Sequence, residues 1–151
     1  MDKKKFIARK SIGEYISILA AVLAVISLIY YYSYTSSMGT TNTMVIILLL
    51  VSTICNIVYF AVDIESTFDI GIVEIVASVC NTVVLATFFL NSWSNLADLL
   101  NGIQIFSGGR GNLTSIIAIM VLLLVLELVE IIVCFMKKNK NISADGNPIK
   151  A

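Results

Sequence analysis

The sequence has no histidine, one proline, one tryptophan and three cysteines. Only 13% of its 151 residues are charged. Each shortage excludes something. Without histidine, most zinc sites, Ser–His and Cys–His nucleophile pairs and imidazole proton relays are out of reach. One proline and eight glycines rule out collagen-like and proline-rich material. Cys55, Cys80 and Cys134 form no Cys-x-x-Cys pair and lie in apolar stretches, as small reduced packing residues do. A soluble domain carries roughly 25% charged residues, so this chain is too charge-poor to be one.

Apolar residues are abundant instead. Hydrophobic residues make up 58% of the chain and the mean hydropathy is +0.95. Disorder requires the opposite composition. A membrane-crossing helix needs about 20 mostly apolar residues. Four stretches qualify: about 15–34, 44–62, 70–90 and 113–136. Strands are disfavoured, because lipid offers no partner to an open sheet edge. The sequence therefore predicts an all-α four-helix transmembrane bundle, in one domain over 15–136. A basic N-terminus (1–14) precedes it and a flexible tail (137–151) follows.

The net charge is zero, but its distribution is ordered. Residues 2–14 hold five basic and two acidic residues, net +3. Residues 137–151 hold four basic and one acidic, also net +3. Between them Arg110 stands alone against seven acids, net −6. Lysine and arginine near helix ends mark the cytoplasmic side. Both termini are therefore expected inside, in the plasma membrane, which agrees with an even number of spans. The first span is about 20 residues long and lacks a small-x-small cleavage site, so an uncleaved span is expected.

The connection 91–112 shows helical spacing over 93–106. Its apolar residues are Trp93, Leu96, Ala97, Leu99, Leu100, Ile103 and Phe106. A short interfacial helix is expected there on the outer side, with Trp93 as its anchor. Gly108-Gly109-Arg110-Gly111 lacks the strand and Gly-Lys-Ser/Thr of a phosphate loop. Asn112-Leu113-Thr114 and Asn141-Ile142-Ser143 match the glycosylation sequon.

Ionisable residues inside a span are costly and raise a functional hypothesis. Glu127 and Glu130 lie in the fourth span, three residues apart and on one side with Cys134. Counted from Met136, Glu127 is roughly 13–14 Å deep and Glu130 about 9 Å. In the third span Glu74, Ser78, Asn81 and Thr82 form a stripe; in the second, Ser52, Asn56, Tyr59 and Asp63 do. These stripes are expected to face inward. Glu14, at the mouth of the first span, is expected to be a solvated interfacial charge. No span contains a lysine or arginine. The embedded carboxyls are then protonated, bind a cation, or pair with a base on another subunit. Ser17, Ala20, Ala21, Ala24 and Ser27 make a small-residue packing stripe on the first span. Tyr30, Tyr31, Tyr32 and Tyr34 form an aromatic belt at its far end.

In outline the chain resembles small multidrug exporters: four spans, short loops and embedded carboxyls. It departs from them in having its first-span acid, Glu14, at the membrane edge and a long 91–112 segment. Tetraspan scaffolds of the MARVEL type share the topology, without a diagnostic motif here. No family is assigned on these grounds. The expected function is non-enzymatic: an accessory, scaffold or immunity-type subunit acting through helix association. A homo-oligomer or a membrane partner subunit would be its companion. The alternative is a small oligomeric channel or a cation- or proton-coupled transporter using Glu127, Glu130, Glu74, Asn81 and Asn56. No cofactor, metal or nucleic acid is expected; the lipid bilayer is the one certain surrounding.

Overall fold

A computed structural model of the chain describes residues 11–61, 67–100 and 113–136. They fold into four α-helices: α1 (Ile12–Met38), α2 (Thr43–Ala61), α3 (Thr67–Leu100) and α4 (Leu113–Phe135). Each contains a segment long and apolar enough to cross a membrane. The N-terminal segment before Ser11, the tail 137–151, Asp63, Arg110 and the stretch 101–112 lie outside the described residues.

The helix bounds have local causes. Ser11 caps α1: its hydroxyl accepts the Glu14 N–H, and the Glu14 carboxylate accepts the Ser11 N–H at 2.6 Å. At the other end Gly39 adopts φ 66°, and the Thr40 N–H reaches back to the Thr35 carbonyl. Left-handed backbone of this kind favours glycine. Asn42 opens α2, its side chain accepting the Met44 N–H at 3.0 Å. The Tyr31 hydroxyl accepts the Asn42 N–H at 3.1 Å, which ties this turn to α1.

One expectation needs correction. Residues 93–100 do not begin a separate helix; they continue α3 without a break. The segment 91–100 contains neither glycine nor proline, so nothing in it ends the third span near residue 90. Residues 101–106 of that expected helix lie outside the described residues. Trp93 is exposed on α3, with its ring 5.3 Å from that of Phe89.

The four helices form a closed ring. Each packs on its neighbours in sequence, and α4 returns against α1, while the diagonal pairs stay apart. The start of α1 meets the end of α4, where Gly13 lies against the Met136 side chain. This will be called the terminal end. Ser17, Ala20, Ala21, Ala24 and Ser27 are all buried in the ring. Their small size lets the α1 backbone approach its neighbours closely.

The core has two halves. Toward the 39–42 turn it is apolar: Ala24, Tyr31, Val45, Leu49, Val84, Phe88, Ile116, Ile119, Leu123 and Leu126 pack as one cluster. Tyr31 meets Phe88 edge-on at 5.9 Å. Toward the terminal end the axis is polar. The outside is the reverse, with Leu19, Val22, Ile29, Leu50, Ile54, Ile57, Val79, Leu124 and Leu128 exposed. An apolar exterior around a partly polar interior suits a bundle solvated by lipid.

Candidate functional site

The helix register sets the polar layer. Ser17 lies five residues into α1, Asn56 five residues before the end of α2, and Glu130 five residues before the end of α4. At 1.5 Å per residue all three stand about 7–8 Å from the terminal end. Ala24, Leu49 and Leu123 each stand twelve residues from it, about 18 Å deep, where the apolar half has begun.

Hydrogen bonds join these residues across the bundle. The Ser17 hydroxyl faces three acceptors: the Asn56 carbonyl at 3.0 Å, Asn56 Oδ1 at 3.1 Å and Glu74 Oε1 at 3.2 Å. It has one proton to give, so it serves them in turn. Asn56 Nδ2 donates to the Ser52 carbonyl at 3.0 Å and to Glu130 Oε1 at 2.9 Å. The Ser52 hydroxyl donates to the same Glu130 Oε1 at 2.9 Å. Asn81 Nδ2 donates to Ser52 Oγ at 3.0 Å. All four helices therefore contribute. Ser17 to Glu74 and Asn56 to Glu130 are bonds across the two diagonals, so the network sits on the bundle axis.

The layer is rich in acceptors and poor in donors. Glu74, Asn81 and Glu130 are each at most 1% exposed. Glu130 Oε1 receives two donors, whereas Glu130 Oε2 and Asn81 Oδ1 receive none among the described residues. The described residues contain no lysine, arginine or histidine to supply a positive charge. An ionised Glu130 carboxylate would be desolvated without a counter-charge among the described residues, which is the costly arrangement in a low dielectric.

Glu14 belongs to the same end. It is 1% exposed, not a solvated charge as its position at the mouth of the span suggested. Its carboxylate turns back to cap α1, and Tyr59 lies close enough to feel both Glu14 and Glu74. Tyr59 packs with Val133 and Ile16, so it closes the polar layer toward the terminal end.

Glu127 is placed elsewhere. Its Oε1 accepts from Ser78 Oγ at 3.0 Å and Thr82 Oγ1 at 2.8 Å, on the α3–α4 seam. Glu127 and Ser78 are half-buried and Thr82 is exposed. The expected single inward faces are thus divided: Glu74, Asn81 and Glu130 turn to the axis, while Ser78, Thr82 and Glu127 turn to the seam. Cys134 is exposed, Cys55 half-buried and Cys80 buried, and all three are free thiols.

Ser17 is the layer member that the sequence marked only as packing. Its signal was its level with Asn56 and Glu130, legible once the helix ends were aligned. No group of three or more His, Cys, Asp or Glu among the described residues is arranged to hold a metal ion. No protein-family model, curated protein or solved structure matches the chain.

Proposed function

We propose that this chain is a small, non-enzymatic membrane protein that takes up protons or small cations in its axial carboxyl layer, as a cation- or proton-coupled transporter. The supporting observation is the burial of Glu130 on the bundle axis beside Ser52 and Asn56, with no lysine, arginine or histidine among the described residues. Intramembrane acids in this position mark ion or proton pathways. The lysine-rich termini favour both chain ends on the cytoplasmic side of the membrane. The polar layer then occupies the cytoplasmic half of the bundle, and the Leu49–Leu123–Ile119 cluster closes the outer half. The layer is closed on both sides, by Tyr59 with Val133 and Ile16 toward the terminal end and by the apolar cluster beyond it, which fits an occluded carrier rather than an open pore.

The test is flux into proteoliposomes holding the purified chain, driven by a pH or sodium gradient. Wild-type protein should collapse the gradient faster than empty vesicles, and Glu130→Gln should return the rate to the empty-vesicle level. Equal rates for wild type and Glu130→Gln would remove carboxyl coupling from consideration.

A second function, as an accessory or immunity-type subunit working through helix association, is favoured by the seam. Ser78, Thr82 and Glu127 place polar groups at a lipid-facing edge, where a second copy or another membrane subunit would meet them. Mild-detergent sizing addresses it: Thr82→Val with Glu127→Leu should break a complex that wild type forms.

A further inference from the structure

Within the cation-coupled function just proposed, on which this step rests, we infer that the ligand of the axial layer is a proton, carried on Glu130 Oε2 and held against Asn81 Oδ1. The hydrogen-bond inventory is the first ground. Glu130 Oε1 is filled by the Ser52 hydroxyl and Asn56 Nδ2, both at 2.9 Å. Its other oxygen and the Asn81 carboxamide oxygen are buried and have no donor among the described residues. Both side chains are at most 1% exposed. The Asn81 head group is fixed in the layer, because its nitrogen donates to Ser52 Oγ, itself bonded to Glu130. A proton on Oε2 turns an acceptor without a partner into a donor. It also offers Asn81 Oδ1 the donor it lacks. One proton thus serves two buried acceptors that are otherwise left without donors among the described residues.

A metal ion would do this less well. Hard cations take six or more oxygen ligands. Among the described residues no three His, Cys, Asp or Glu side chains are arranged to hold a metal ion. Charge gives the same answer. Proton uptake takes Glu130 from −1 to neutral without a counter-ion, and the spans supply none.

The titratable groups around Glu130 come from three of the helices. Among the described residues they are Cys55 on α2, Cys80 on α3, and Glu127 and Cys134 on α4. None bears a positive charge, so none competes to neutralise the carboxylate.

Infrared difference spectroscopy of the full chain in lipid nanodiscs tests this, with stepped pH and H2O/D2O exchange. At neutral pH wild type should show the carbonyl band of a protonated carboxylic acid, shifted by deuterium and lost on alkalinisation. Glu130→Gln keeps the side-chain shape and should lose that band. Asn81→Leu should retain it at higher frequency, because the acid has lost its acceptor. An unchanged acid band in Glu130→Gln, or its removal by added sodium chloride at constant pH, overturns the proton assignment. If Glu130→Gln folds too poorly to measure, an unshifted band in Asn81→Leu overturns it alone. Band loss in Glu130→Gln without gradient-driven flux would keep the proton site and remove the transporter. Flux that depends on Glu130 while the band is unaffected would do the reverse.

Discussion

Asn56 and Glu130 belong to helices whose backbones do not approach each other, yet Asn56 Nδ2 donates to Glu130 Oε1 at 2.9 Å. The bond crosses the centre of the ring. It ties together elements that neighbour packing leaves unconnected, and Ser17 does the same for α1 and α3 through Glu74.

That position makes Asn56 the residue on which the layer depends most. It donates to Glu130 and to the Ser52 carbonyl and offers Oδ1 to Ser17. Interhelical bonds in membranes are worth about 0.6–2 kcal/mol each. Asn56→Leu keeps the branched shape of the side chain and removes them. It should lower stability by about 1–3 kcal/mol, read from thermal unfolding in mild detergent, whereas Thr82→Val on the exposed seam should cost much less. Equal losses for the two would mean that the axial bonds contribute no more than the seam.

Gly13 poses a contest between two effects. Alanine favours a helix over glycine by about 1 kcal/mol. A Cβ at Gly13, however, would lie 2.9 Å from Met136 Cβ, an atom close to the backbone that cannot swing aside. Overpacking of this kind costs about 1–3 kcal/mol. The clash should win, and Gly13→Ala should melt at a lower temperature than wild type. A higher melting temperature would show that α1 and α4 separate there at little cost.

The apolar half can be probed by a matched pair. Leu123 is 1% exposed in the core and Leu128, on the same helix, is 52% exposed toward lipid. Leu123→Ala leaves a cavity and should cost about 2 kcal/mol or more. Leu128→Ala exchanges contacts with lipid and should change stability by less than about 0.5 kcal/mol. A similar cost at both sites would contradict the inside–outside assignment of α4.

Much of the architecture was legible from patterning. Four apolar stretches and an absence of internal helix breakers gave four helices, because lipid leaves the backbone no other way to satisfy its hydrogen bonds. The extension of α3 through Trp93 to Leu100 was not legible. Alternating polar and apolar residues at 91–100 look the same whether they continue one helix or begin another. Glu14 was misplaced for a related reason: the capping box was present as Ser11 and Glu14, but only its partners show that the carboxylate is buried.

The sequence by itself determined the composition of the interior: embedded acids, their amide and hydroxyl neighbours, and no base within any span. Tertiary structure decided which acid does what. Residues three apart on a helix point about 60° from each other, so Glu127 and Glu130 share a side without sharing a destination. Where the bundle axis falls within that arc depends on how closely α1 seats against its neighbours, through Gly13 and the stripe from Ser17 to Ser27. That packing sends Glu130 to the axis with Asn56 and Asn81, and leaves Glu127 in the seam with Ser78 and Thr82.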